Sequence, residues 1–189
     1  MPPLQRASFR RMDECSPEDM EVFYRVRDRN VAAFASRLMS LLALLADKSD
    51  GSPIDGYSHS LQSATLAYQD GADDEMVFIA LFHDLGQLVA EENHSDVSAE
   101  ILKPYISPRA HWIVKYHTIF QRYYYGEAAG LDPNAREVYI DQPYYQDCVD
   151  FCERYDQCAF DSQYPNKSAA FFLPMVKRMV DARGVESAR

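Results

Sequence analysis

The chain has 189 residues, of which 47% are hydrophobic, and only 7 are glycine and 10 proline. This length suits one domain with a substantial core, and this composition is typical of globular rather than disordered proteins. The formal net charge of −10 argues against nucleic acid or an anionic membrane as partner, because both would repel the protein, so we expect a small-molecule partner and no obligate protein partner.

The N-terminal segment, residues 1–14 (MPPLQRASFRRMDE), has no apolar stretch like that of a signal peptide. The longest apolar run, residues 38–46, is too short to span a bilayer. We therefore expect a cytoplasmic protein with no membrane association.

The rest of the chain reads as a series of helices. Ser16 as N-cap, Pro17 in the first turn and an acid at Asp19 begin a long helix that carries apolar residues as far as Leu45, with a break near Arg29. Residues 47–56 (DKSDGSPIDG) form a loop by composition. Further helices are predicted from near His59 to Gly71, from Asp73 or Asp74 into His83, from Ser95 to near Pro104, from Ser107 to Gly126, at Asp132-Pro133, from Pro143 through Asp156, and from Ser168 to about Ala182.

No pair of alternating apolar runs flanks a hairpin turn, and no internal repeat is present, so the pattern predicts a single all-α domain. Of the four cysteines, Cys148 and Cys152 are one helical turn apart, Cys158 follows and Cys15 stands alone. The chain has no C-x-x-C pair. We expect all four to be reduced, small, buried hydrophobic residues.

All five histidines lie between positions 59 and 117, and one of them opens the sequence His83-Asp84-Leu85-Gly86. His83 follows Met76 and Ile79 at helical spacing, so it projects toward the same core, where an unpaired imidazole would be costly. Asp84 lies about 100° around the helix from His83, so both side chains can approach one metal ion. The second carboxylate oxygen of Asp84 can then bind another ion.

His117 repeats this inward placement, and Asp156 stands one turn after Cys152. For any single histidine, a hydrogen-bonded position in the core is the alternative interpretation. His111 falls off the face of His117 and is interpreted as structural or as a neighbour of the ligands. The joint pattern predicts a dinuclear metal site with the ligands His59, His83, Asp84, His94, His117 and Asp156.

The order of these residues on an all-α framework resembles the HD-domain superfamily, which is named after its His-Asp pair. The sequence His59-Ser60-Leu61-Gln62, followed by residues 83–86 (HDLG) and two further histidines, is similar to the mixed-valent diiron oxygenase branch. That branch includes myo-inositol oxygenase and 2-amino-1-hydroxyethylphosphonate dioxygenase. The resemblance covers residues 46–161 and implies an HD-domain helical bundle, on which the N-terminal and C-terminal helices pack to give one domain of residues 1–189.

The resemblance also implies two iron ions as an Fe(II)/Fe(III) pair, with O2 as cosubstrate. Residues 9–14, 116–125 (YHTIFQRYYY) and 151–161 (FCERYDQCAFD) look like the oxygenases that cleave (R)-1-hydroxy-2-(trimethylammonio)ethylphosphonate to glycine betaine and phosphate. An amino substituent in place of the trimethylammonio group stays open. By the resemblance, one iron would be bound by His59, His83 and Asp156, the other by His94 and His117, and Asp84 would bridge them.

Two positions depart from the aminophosphonate enzymes of the branch. Those enzymes have a lysine one turn beyond the last histidine ligand, where this chain has Gln121. Their loop before the first ligand carries a Tyr and Glu pair that closes over the substrate, whereas the corresponding loop here, residues 48–57, is shorter and shows no such pair. A quaternary ammonium cannot donate hydrogen bonds, so aromatic faces would recognise it. The tyrosines at 123–125 could provide them, or could equally pack the domain or cap its surface. The candidates for contact with substrate or ligands are Gln87, Gln121, Arg122, Tyr124 and Arg154.

Two rival functions use the same residues. A metal-dependent phosphohydrolase of the same superfamily would use two ions to bind a small phosphate ester or nucleotide and to generate hydroxide. The acidic chain has aromatic residues rather than a basic cluster after His117, which favours the oxygenase. A regulatory module with a vestigial metal site fits poorly with a complete ligand set.

Overall fold

A computed structural model of the protein describes residues 6–47 and 51–184, so residues 48–50 of the predicted loop and the first five residues lie outside the described part. Within the described ranges the regular structure is helical, which confirms the predicted all-α class. The α-helices are α1 (Pro17–Ala32), α2 (Phe34–Leu44), α3 (Gly56–Gln69), α4 (Asp74–Phe82), α5 (His94–Leu102), α6 (Pro108–Tyr125), α7 (Tyr145–Phe151) and α8 (Ala169–Gly184).

Polar N-caps begin four of these helices. The Ser16 hydroxyl accepts a hydrogen bond from the Asp19 amide, and the Asp19 carboxylate accepts one from the Ser16 amide, which makes a capping box at the start of α1. Asp73 caps α4 and Ser107 caps α6, as predicted. Asp55 caps α3, which therefore begins before His59, at Gly56.

The N-terminal helix breaks at Ala33 and not near Arg29 as predicted, and α1 and α2 are bent by 53° relative to each other. Helix α1 buries few apolar side chains beyond Val22, whereas α2 buries Leu38 and Leu42 completely. The bend therefore lies where the chain enters the core. Among the described helices, none is by itself long and apolar enough to cross a membrane, and α1 and α2 meet that test only as a bent pair.

Helix α4 forms the middle of the core. Residues 76–82 are all buried, and the helix packs against α3, α6 and α8, as a helix that is apolar on every side requires. The helix ends at Phe82, with His83 as its C-cap and Asp84 in the turn that follows. This corrects the expectation that His83 and Asp84 lie 100° apart on one helix: the turn sets the angle between their side chains.

The segment before Asp156 also differs from the prediction of one continuous α-helix. Helix α7 ends at Phe151, and the chain continues as a π-helical turn, Cys152–Asp156. The amide of Gln157 donates to the carbonyl of Cys152 at 2.9 Å, five residues back, which changes the direction of Asp156 relative to a regular α-helix. Such π turns are frequently found at functional sites.

The C-terminal helix α8 continues through Pro174 and packs against α2 and α4. The four cysteines are free, and Cys148 and Cys152 are buried as predicted. The expectation of burial is wrong for Cys158, which is exposed because it follows the π turn where the chain returns to the surface, and Cys15 is half-buried.

Candidate metal centre

Six side chains from separate parts of the bundle converge at the inner end of α4. Five of them are buried, whereas the side chain of His94 is 15% exposed. They are the six residues that the sequence singled out as possible metal ligands. Their places are His59 in α3, His83 at the end of α4, Asp84 in the next turn, His94 at the first position of α5, His117 in α6 and Asp156 at the end of the π turn.

All four histidines direct Nδ1 toward a backbone carbonyl. A carbonyl can only accept, so each Nδ1 carries the proton and each Nε2 presents a lone pair in the neutral ring. This arrangement is typical of histidines that bind a metal through Nε2. The four pairs are His59 with Ala159 at 3.0 Å, His83 with Ala80 at 3.0 Å, His94 with Glu91 at 2.9 Å and His117 with Val114 at 2.7 Å.

The first group of ligand atoms consists of His59, His83 and Asp156, which could together hold a metal ion. The Nε2 atoms of His59 and His83 are 3.2 Å apart, and Asp156 Oδ1 lies 3.2 Å from the first and 3.6 Å from the second. Asp156 Oδ2 is buried without a hydrogen-bond partner among the described residues. Two facing Nε2 atoms, a carboxylate oxygen within 3.6 Å of both and a second, unpartnered carboxylate oxygen form a donor set that fits a metal ion.

The second group lies on the other side of Asp84. Asp84 Oδ2 is 3.6 Å from His59 Nε2 and 3.4 Å from His83 Nε2, whereas Oδ1 is 3.3 Å from His94 Nε2 and 3.2 Å from His117 Nε2. One carboxylate oxygen therefore faces each pair of histidines. A cluster of His83, Asp84 and His117 could also hold an ion, which places His83 between the two groups.

Comparison with known proteins agrees with this geometry. The family model of the HD domain matches residues 56–156 of the chain. The chain belongs to the HD-domain family. It is also 31% identical over 84 residues to a protein of Leisingera caerulea named [1-hydroxy-2-(trimethylamino)ethyl]phosphonate dioxygenase (glycine-betaine-forming). That match covers 39% of this chain and 43% of the relative, so the chain spans less than half of the relative's length. Both matches confirm the resemblance predicted from the motifs.

Gly86, which follows the His83-Asp84 pair by two residues, allows two segments to pack closely. A Cβ on Gly86 would lie 2.1 Å from the carbonyl oxygen of His94 and 2.8 Å from its Cα, so only glycine allows this approach. The Gly86 amide donates to the Ser98 hydroxyl of α5 at 2.8 Å. These contacts bring the start of α5, and with it His94, against the turn that carries Asp84.

Helix α3, which carries the motif of residues 59–62, also holds the segment that follows Asp156. His59 Nδ1 donates to Ala159, and the buried side chain of Gln62 accepts from the Asp161 amide at 3.1 Å. Further along α3, the Thr65 hydroxyl accepts from the Lys167 amide at 3.0 Å. The chain after Asp156 is therefore held along α3, which keeps Asp156 opposite His59.

The charges of the six clustered side chains favour bound cations. Burial alone would lower the pKa of His83, but the charges of Asp84 and Asp156 outweigh it and raise the pKa to about 9. Burial would raise the pKa of both aspartates, yet His83 and the other imidazoles hold the pKa of each well below its usual range. A proton on His83 lies where a metal ion would bind, so metal binding would release it.

Two side chains of α6 contact the ligands directly. Gln121 Nε2 donates to Asp156 Oδ1 at 2.6 Å, so Gln121 contacts one of the six predicted ligands, and its contact with substrate stays a prediction. The Thr118 hydroxyl lies 3.2 Å from His94 Nε2, and sequence reasoning missed it. Its position directly after His117 was the only available signal.

The other predicted contacts have different surroundings. Arg154 makes an ion pair with Asp70 and lies over the ring of Tyr155, and its contact with substrate stays a prediction. Tyr124 is 38% exposed and packs against Tyr123, which is in turn covered by the guanidinium of Arg136 at 3.8 Å from the ring centroid. This favours the interpretation that the tyrosines cap the surface.

The remaining candidates stay predictions. Arg122 Nε is buried without a hydrogen-bond partner among the described residues. Gln87 lies in the 3-10 helix after the HD pair, and its Oε1 is 3.6 Å from where a Cβ of Gly56 would lie. His111 pairs with Glu100 at 3.0 Å, away from the ligands, as its place on the helix predicted.

Proposed function

We propose that the protein is a non-heme diiron oxygenase that uses O2 to cleave the C–P bond of a 1-hydroxyphosphonate. The observation that carries this proposal is Asp84, which turns one oxygen to His59 and His83 and the other to His94 and His117. A carboxylate placed in this way suits a bridge between two metal ions. The similarity to a phosphonate dioxygenase supports the oxygenase among the functions of two-metal HD proteins.

The ligand atoms suggest how two irons would be shared. His59, His83 and Asp156 would hold one iron, His94 and His117 the other, and Asp84 would bridge them. A mixed-valent Fe(II)/Fe(III) pair, when bound, supplies the one-electron redox chemistry that reaction with O2 requires. The backbone carbonyls at Nδ1 keep each ring in the tautomer that presents Nε2, and Gln121 fixes the orientation of Asp156.

The cluster has two halves, the first formed by His59, His83 and Asp156 and the second by His94 and His117, and these halves differ in exposure. The first half is enclosed, because His59, His83 and Asp156 are at most 5% exposed. The second half is bounded by His94, whose side chain is 15% exposed, and by Thr118, which is half-buried. We infer that substrate enters on the side of His94 and that its hydroxyl and phosphonate oxygens bind in the second half, away from the fully enclosed ligands.

The substrate that the comparison favours is (R)-1-hydroxy-2-(trimethylammonio)ethylphosphonate, with glycine betaine and phosphate as products. In this reaction the hydroxyl-bearing carbon loses its C–H and C–P bonds and becomes a carboxylate. The four electrons released reduce O2, and both of its oxygen atoms enter the products. No external reductant is consumed per turnover. One molecule of O2 should therefore be consumed for each molecule of glycine betaine and each phosphate that is formed.

The test is substrate-dependent O2 uptake by iron-loaded protein. The panel contains the trimethylammonio and amino forms of the 1-hydroxyphosphonate, with inositol as the control substrate. We expect O2 uptake and phosphate release with a hydroxyphosphonate and neither activity without O2. A small phosphate ester is tested in parallel, and phosphate release from it in anaerobic samples would instead establish the phosphohydrolase and overturn the oxygenase proposal.

A pair of matched variants ties the activity to the cluster. Asp84→Asn removes the proposed bridge and should abolish O2 uptake. Asp96→Asn makes the same chemical change at an exposed position of α5, where Asp96 pairs with Lys115 at 3.3 Å, and should leave activity unchanged. Full activity in Asp84→Asn would contradict the assignment of this site.

A further inference from the structure

The hydroxyl of Thr118 lies among the Nε2 atoms of the second half of the cluster. Its Oγ1 is 3.2 Å from His94 Nε2 and 3.5 Å from His117 Nε2. The side chain is half-buried, on the same side of the cluster as the partly exposed His94. No motif in the sequence accounts for a hydroxyl at this position.

A threonine inside a helix can bond its hydroxyl back to the carbonyl three or four residues earlier. Thr65 in α3 does this, with its hydroxyl 2.6 Å from the carbonyl of Leu61. For Thr118 the corresponding carbonyl belongs to Val114, and it already accepts from His117 Nδ1 at 2.7 Å. The Thr118 hydroxyl is directed at the ligand nitrogens instead.

The distances match those between ligands of one ion. Two ligand atoms that are each about 2.1 Å from a metal and about 90° apart are roughly 3.0 Å from each other. Asp84 Oδ1 lies 3.3 Å from His94 Nε2 and 3.2 Å from His117 Nε2. Thr118 Oγ1 lies nearly as close to both nitrogens as this carboxylate oxygen does.

Protonation supports the same conclusion. In the metal-free protein, the Thr118 hydroxyl can donate to only one of the two Nε2 lone pairs. Once an ion takes both lone pairs, the hydroxyl has lost these acceptors, and its oxygen lone pairs face the ion. A neutral hydroxyl binds a metal ion more weakly than a carboxylate does, so an anionic substrate oxygen can replace it.

We propose that Thr118 Oγ1 is a ligand of the second metal ion in the substrate-free protein, and that an oxygen of the substrate takes this position when it binds. This inference rests on the proposed function, because it presupposes two ions in the cluster. Thr118 is then a positioning residue, because its hydroxyl keeps open the position at which the substrate oxygen binds.

The first experiment is anaerobic titration of the metal-free protein with Fe(II) alone. Thr118→Val keeps the shape and removes the hydroxyl, Thr118→Ser keeps the hydroxyl, and Ser40→Ala removes an exposed helical hydroxyl as the matched control. We expect Thr118→Val to weaken the second ion about tenfold and leave the first unchanged, whereas Thr118→Ser and Ser40→Ala bind both ions like the wild type. Thr118→Ala serves as a second removal variant if Thr118→Val unfolds.

The second experiment is the electron paramagnetic resonance spectrum of the mixed-valent protein. The substrate-free spectra of Thr118→Val and the wild type should differ, and the spectra with the hydroxyphosphonate bound should coincide, because the substrate has then replaced the hydroxyl. If Thr118→Val and the wild type gave identical substrate-free spectra and bound both ions with the same affinity, the proposed role of Thr118 would be overturned and the proposed function would not. A wild-type protein that binds fewer than two ions would overturn both proposals, whereas two ions without O2 uptake would overturn only the oxygenase.

Discussion

Replacement of Gly86 by alanine tests how the turn that carries Asp84 and Gly86 places His94. The added Cβ would lie 2.1 Å from the His94 carbonyl oxygen and 2.7 Å from its carbon, both of which are backbone atoms. A flexible side chain could rotate away, but these atoms cannot move unless α5 moves. Ordinary contact begins near 3.4 Å, so the turn and the start of α5 would have to separate by about 1.3 Å.

Two effects follow from this displacement. Overpacking of a well-packed site costs about 1–3 kcal/mol, and for a chain of this length each kcal/mol lowers Tm by about 2–4 °C. We therefore expect the Tm of the metal-free Gly86→Ala protein to fall by about 2–12 °C. His94 Nε2, now 3.3 Å from Asp84 Oδ1, would also move away, which should weaken the second ion about 10–100-fold and leave the first in place.

The assay combines thermal unfolding of chelator-treated protein with Fe(II) titration. Gly56→Ala is the control, because a Cβ at Gly56 would meet its nearest neighbours at 3.4 Å, which is ordinary contact. It should keep both Tm and metal binding. If Gly86→Ala kept the wild-type Tm and bound both ions with wild-type affinity, the argument that this close approach positions His94 would be refuted.

Three further results are expected. Asp84→Asn should lower the affinity of both ions, because Asp84 faces all four histidines, and retention of both ions in elemental analysis would contradict the bridge. The Tm of metal-free protein should fall as the pH rises from about 6.5 to about 9, because the pKa of His83 is raised to about 9 in the folded state and its charge with the aspartates is lost there; a flat or rising Tm would refute this. Gln121→Leu should weaken only the first ion, by about tenfold in titration, because Gln121 orients Asp156.

Much of the fold could be predicted because its signals are local. Ser16, Asp73 and Ser107 cap helices where the sequence placed caps, since an N-cap needs only a short polar side chain next to a helical pattern. The convergence of the histidines could be predicted for a similar reason. An imidazole such as His83, at the end of a fully apolar helix, must face other polar groups in the interior.

The remaining features depend on contacts between distant segments. The π turn before Asp156 packs against α3 and α6, and its residues 152–156 carry no pattern that separates it from an α-helix. Arg154 pairs with Asp70, which is far away in sequence, so this contact could not be inferred from the residues around Arg154 in the chain. Thr118 is recognisable only once the helix that carries His94 is placed beside α6.

The cluster therefore divides into a half fixed by the core and a half fixed by one close contact. His59 and His83 belong to helices packed in the centre of the bundle, and a change there would disturb the core itself. His94 depends on the approach of α5 to Gly86, and Thr118 lies at the partly exposed edge. Substitutions at this partly exposed edge can alter which oxygen donors the site accepts at little cost to the fold, so differences in substrate among proteins with this ligand set should concentrate there.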